Sequence, residues 1–170
     1  MKNKKNIEKF NVKLIIMGII ILVLLIGVVL IILSIINREK EVVCKYTTSD
    51  PAGVYNMDVK YTIKYKKDNV VGIEEYYIYK AEDHDTLSEL RGSIGDSNML
   101  YNTLYGGIDT DIKNIDDALE VTTNIDYTKL DIKKYYNDMG LSSYLTDDKV
   151  NIENAIKMYK DSGAICEDKQ

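Results

Sequence analysis

The chain has 170 residues and a formal net charge of −5, a single domain's worth of polypeptide with its charge unevenly spread. Five lysines against Glu8 occupy the first 13 residues, so the part beyond the apolar run that follows holds 17 basic against 26 acidic residues. Nucleic-acid binding is excluded as a main role, because counterion release needs positive charge facing phosphate.

The apolar run, Leu14 to Ile36, is 23 residues long, with only Gly18, Gly27 and Ser34 outside the apolar set. As a helix it measures about 35 Å, slightly more than the roughly 30 Å hydrocarbon core of a bilayer, so it is expected to span with modest tilt. A cleaved signal peptide would carry a shorter apolar region of about 7 to 15 residues and a small-residue cleavage site. Ser34-Ile35-Ile36-Asn37-Arg38 offers no such site, and Cys44 follows Glu41-Val42-Val43 too far downstream for lipidation. The reading is an uncleaved anchor held in the lipid bilayer by residues 14–36. Lys2, Lys4, Lys5, Lys9 and Lys13 precede it, whereas Arg38, Lys40 and Lys45 follow diluted by Glu39 and Glu41. The positive-inside rule then predicts a cytoplasmic amino terminus and an extracytoplasmic acidic part. Gly18 and Gly27 miss the spacing of a close helix–helix contact, and the span holds no ionisable residue that could carry an ion or proton pathway.

The expected organisation is a basic tail (1–13), the transmembrane helix (14–36), a polar linker (37–41), an extracytoplasmic domain (42–167) and a tail (168–170). Glu41 to Ser49 is rich in Val, Thr, Cys and Tyr and reads as a strand, closed by the turn Ser49-Asp50-Pro51-Ala52-Gly53. Tyr55 to Lys66 alternates Tyr55, Met57, Val59, Tyr61, Ile63 and Tyr65 with polar residues, the pattern of a strand with one buried face. After Lys67-Asp68-Asn69, Val70 to Lys80 predicts a third strand whose packed set includes Val71, Ile73, Tyr77 and Tyr79. The period then changes. Thr86-x-x-Glu89 has capping-box form, and Leu87, Leu90, Ile94, Tyr101 and Leu104 predict one helix, weakened at Gly92 and Gly95 and ended by Gly106-Gly107. Leu119 to Tyr127 alternates as a fourth strand, and a short helix is expected around Lys133 to Asp138. Asn151 then caps a last helix carrying Ile152, Ala155, Ile156 and Tyr159, and Ala164-Ile165-Cys166 closes the domain. Strands first and helices later predict an α+β class, an antiparallel sheet with helices packed on one face.

This order, with Ile125-Asp126-Tyr127-Thr128-Lys129-Leu130-Asp131-Ile132 and the closing Ser162-Gly163-Ala164-Ile165-Cys166, resembles the YehR-like small bacterial lipoproteins from about Cys44 to Cys166. The resemblance implies a compact α+β domain on the outer side of a bacterial membrane, in a family without an established activity. The chain departs from the lipoprotein pattern in carrying a spanning helix where a lipidated cysteine would stand.

Cys44 and Cys166 both fall on the extracytoplasmic side, where a disulfide between them is expected, the alternative being two unrelated buried thiols. All 14 tyrosines lie between Tyr46 and Tyr159, and most fall on alternating apolar positions, as core aromatics do. Tyr76, Tyr135, Tyr136 and Tyr144 are the candidates for an exposed patch that stacks on sugars or holds a peptide. Glu82-Asp83-His84-Asp85 contains the one histidine, and its place at a helix start favours capping over a metal or acid–base site. Asp109-Thr110-Asp111 begins like a calcium loop, but Lys113 takes the next ligand position. No nucleotide loop, hydrolase elbow or zinc spacing occurs, so no catalytic, cofactor-binding or metal-ligating residue is named. The expected role is therefore non-catalytic binding or envelope association, toward an envelope protein or glycan. The alternatives are a cell-envelope enzyme acting on glycans through paired carboxylates, and an accessory subunit of a membrane complex.

Overall fold

The computed structural model describes residues 2–81 and 83–168, so Glu82 and the end of the 168–170 tail lie outside it. The chain divides into two units, residues 1–38 and 39–170. The first is one helix, α1 (Lys2–Ile36). Its large apolar side chains from Met17 onward are exposed, and Ile19–Ile36 is long and apolar enough to cross a membrane. The backbone is helical from Lys2, so the basic residues expected to form a separate tail occupy the first turns of the same helix. No glycine or proline intervenes before Gly18 to stop helix growth there.

The second unit is a six-stranded antiparallel sheet with helices packed on it. In chain order it runs β1 (Glu39–Ser49), β2 (Tyr55–Lys66), β3 (Asn69–Ala81), α2 (His84–Tyr105), β4 (Ile108–Ile115), β5 (Ala118–Asp126), α3 (Ile132–Asp138), α4 (Ile152–Asp161) and β6 (Ile165–Asp168). A single 3-10 turn, Ser142–Tyr144, joins α3 to α4. The spatial order is β4-β5-β3-β2-β1-β6, so β3 and β2 are central and the first strand lies beside the last. Because β1 already pairs from Glu39, the expected linker shrinks to Asn37 and Arg38.

Turn chemistry sets the hairpins. Asp50 Oδ2 accepts from the amides of Ala52 (2.9 Å) and Val54 (3.3 Å), folding the β1–β2 turn. Two-residue loops close β2–β3 at Lys67-Asp68 and β4–β5 at Asp116-Asp117, with Lys67 (φ 55°) and Asp116 (φ 49°) in the left-handed region that tight hairpins require. Strand β4 is an addition to the predicted elements. Along it only Ile108 is buried, because it is an edge strand whose Asp109, Asp111 and Lys113 point away from the helices, and so few apolar positions leave little period to read.

Register assigns each strand residue to a face. Val42, Cys44, Val59, Ile63, Ile73, Leu119, Val121 and Ile125 are buried and share the inner face. Helix α2 seats Leu87, Leu90 and Ile94 on Leu119 and Val121, while α4 and α3 bring Ala155, Tyr159 and Tyr136 onto the β1–β2–β3 half. Helix α2 continues unbroken past Gly92 and Gly95. Its cap is Asp83, one turn before the expected capping box, with Oδ1 accepting from the Thr86 amide at 2.7 Å. The buried stripe ends on Tyr105, 7% exposed, rather than on Leu104, which is 43% exposed. Asn151 caps α4 as expected, its Oδ1 accepting from the Asn154 amide at 2.7 Å. At the α2–β4 corner Gly107 has φ 66°, and a Cβ there would lie 2.7 Å from the Asp126 carbonyl oxygen.

Candidate binding site

The inner-face register of β3 reads Ile73, Glu75, Tyr77, Tyr79. A carboxylate thus stands in the middle of the central strand, flanked along it by Ile73 and Tyr77 and opposed by Tyr61 on β2 and Thr123 on β5. The packed set predicted from the sequence, Val71, Ile73, Tyr77 and Tyr79, leaves Glu75 out. The signal was present, since Glu75 occupies an alternate position of that same series and must share its side of the pleat.

Around Glu75 the helices leave a cleft with two lobes. One, of about 230 Å³, lies toward α2 and is lined by Tyr77, Ser97, Asn98, Tyr101, Thr110 and Thr123 among others. The second, of about 200 Å³, lies toward α3 and α4 and is lined by Tyr61, Tyr127, Tyr136, Leu141, Met158 and Tyr159. Glu75, Ile125 and Tyr135 belong to both walls. Each lobe by itself is smaller than the roughly 300 to 1,000 Å³ of a drug-sized ligand's site, so a ligand held in one lobe is small.

The rings hold one another in place. Tyr61 stacks on Tyr159 with centroids 4.1 Å apart and meets Tyr77 edge-on at 6.2 Å, so strands β2 and β3 and helix α4 meet through aromatic faces. Tyr127 and Tyr136 share a hydrogen bond of 2.7 Å between their hydroxyls. Into this frame Glu75 places both oxygens: Tyr77 donates to Oε2 at 2.6 Å and Tyr159 to Oε1 at 3.3 Å.

Glu75 keeps residual exposure through the cleft, yet the rings strip enough water from its carboxyl to raise its pKa above the ordinary carboxylate range. The two phenol hydrogen bonds oppose that rise without cancelling it. Burial also raises the phenols, Tyr79 and Tyr136 each to about 12 and Tyr61, Tyr77 and Tyr159 upward as well. At neutral pH these tyrosines are therefore protonated hydroxyls and ring faces, not phenolate bases. In the α2 lobe Asn98 Oδ1 is buried without a hydrogen-bond partner.

The four tyrosines proposed as an exposed patch do not form one. Tyr136 is 1% exposed and belongs to the core, because its position in α3 turns it onto the sheet. Tyr135 lines the cleft. Tyr144 packs beside α4, its hydroxyl donating to Asp161 Oδ2 at 2.8 Å and its ring 5.4 Å from Lys157 Nζ. Tyr76 lies on the opposite face of the sheet, donating to Glu120 Oε2 at 2.6 Å with Lys60 Nζ 5.1 Å from its ring.

Cys44 and Cys166 are joined by a disulfide that ties β1 to β6 as a directly opposed cross-strand pair. His84 is the exposed first residue of α2, and Asp83 beside it serves as the cap. Asp109 and Asp111 lie on strand β4, where successive side chains cannot wrap an ion as a loop does.

Two solved structures share this architecture. A protein from Streptococcus pneumoniae TIGR4 determined by NMR matches with a TM-score of 0.52 at 17% identity, covering 77% of this chain and 86% of that one. The NMR structure of Escherichia coli YehR matches with a TM-score of 0.56 at 15% identity, covering 79% of this chain and 94% of YehR. The fold is YehR-like. No family model matches the chain, and no curated protein matches it in sequence. At these identities the likeness establishes the YehR-like fold and leaves the cleft to be argued from its own residues. Membership of a lipoprotein family does not follow from it.

Proposed function

We propose that the protein is a single-pass membrane protein with a cytoplasmic amino terminus, presenting its YehR-like domain outside the cell membrane as a non-catalytic binding module. One observation carries the binding role: a tyrosine-walled cleft around Glu75, the inward-facing carboxyl of β3. Glycoside hydrolysis needs two carboxyl groups flanking the scissile bond, and among the described residues lining this cleft Glu75 is the single acid. The raised phenols favour holding a ligand over abstracting a proton from it.

Location is supported by different features. Helix α1 is long and apolar enough to act as the anchor, lysines crowd the side that precedes it, and a disulfide persists in oxidising compartments. Protease added to intact cells should digest a carboxy-terminal epitope, while mass spectrometry of the membrane fraction should find a chain that still contains Leu14 to Ile36. An epitope that survives until the cells are lysed, or a mature chain that begins after Ile36, would refute the anchored, outward-facing arrangement.

A further inference from the structure

The chemistry of the cleft is one-sided. Its described lining contains Glu75, eight tyrosines, hydroxyl and amide groups and aliphatic carbons, but no lysine, arginine or histidine. An anionic ligand would find no countercharge there and would meet a carboxyl instead. A cation meets the negative faces of aromatic rings, which attract ammonium and guanidinium groups within about 6 Å. It also meets the one group in the cleft able to take a full negative charge.

The polar atoms narrow the choice further. Glu75 presents two acceptor oxygens already oriented by Tyr77 and Tyr159, so the carboxyl is held in position before any ligand arrives. Two acceptor oxygens on one carboxyl suit a ligand with N–H groups.

We infer that the cleft binds a small organic ammonium ion carrying N–H donors, with its charge on Glu75 and its carbon frame against the tyrosine rings. This assignment rests on the cleft being a binding site, and names the ligand class for it. The fully protonated tyrosines supply ring faces and hydroxyls without adding charge, so recognition of the cation falls to one carboxyl. A ligand of this kind matches the pocket's mixture of ring faces and acceptor oxygens.

Three probes of equal shape test it: cyclohexylmethylammonium, cyclohexylmethanol and cyclohexanecarboxylate, titrated into the full chain in non-ionic detergent and followed by tyrosine ring signals in NMR. The ammonium should bind at least tenfold more tightly than the alcohol, with the carboxylate weakest. Glu75→Gln should weaken the ammonium tenfold or more and the alcohol far less, so that the affinities of the two probes converge. Comparison of the three probes on the unaltered protein decides the matter even if a variant misfolds. Preference for the alcohol or carboxylate overturns the ammonium assignment and leaves the binding role standing. Failure of all three to shift any ring signal overturns both.

Discussion

Breaking the Cys44–Cys166 bridge should cost the domain a large share of its stability. The two cysteines are 122 residues apart in sequence. A cross-link that closes a loop of that size removes denatured-state entropy worth about 5 kcal/mol at 25 °C in the chain-entropy model. Single domains have total stabilities of about 5 to 15 kcal/mol, so the term is decisive and not a refinement. The local structure offers little to replace it. Strand β6 has four residues, pairs with β1 alone and forms the sheet's outer edge. The assay is urea denaturation of the full chain in detergent, comparing oxidised protein with a Cys44→Ala/Cys166→Ala double variant. The midpoint should fall by the equivalent of about 3 to 5 kcal/mol and the denaturant dependence should steepen, because an unlinked chain exposes more surface on unfolding. If both midpoint and slope match those of the oxidised protein, the loop-closure reasoning is wrong.

Other perturbations follow from single positions. Gly107→Ala should destabilise by about 2 kcal/mol or more, since φ 66° and a backbone oxygen at 2.7 Å leave no room for a Cβ, whereas Gly92→Ala in helix α2 meets nothing within 4 Å. That control should gain up to about 1 kcal/mol, and opposite signs in thermal melts are the check. Asp83→Ala removes the cap of α2 and should cost about 1 kcal/mol, with amide exchange rising in the first turn; a loss confined to distant residues would contradict the assignment. Glu75 holds its proton more tightly folded than unfolded, so its contribution is fully present below the ordinary carboxylate range and is lost as pH rises through its raised folded value. Urea midpoints of the native protein should therefore decline relative to Glu75→Gln as pH climbs from about 4 toward 8; parallel curves would exclude a raised carboxyl.

Much of the fold was legible because its information is local. The alternation of Tyr55 to Tyr65 specifies one face of β2, and Asn151 ahead of Ile152, Ala155, Ile156 and Tyr159 specifies both the start and the buried stripe of α4. Strand β4 was not legible. An edge strand buries one residue, and its charged outward positions imitate a loop. The cleft was harder still, since it is built from β2, β3, β5, α2, α3 and α4, elements far apart in the chain. Tyrosine count alone pointed toward a surface, but ring positions depend on how α3 and α4 land on the sheet. Glu75 was the exception, since the register that buried Ile73 and Tyr77 required it to share their face.

The cross-strand disulfide also governs what a protease can accomplish. Any single cut in a loop between Cys44 and Cys166 leaves both fragments covalently tied to each other and, through residues 37–43, to helix α1. A single nick in the body of the domain therefore sheds nothing. Release of the whole domain in one piece requires a cut within the few residues between Ile36 and Cys44, and most of these are already paired in β1.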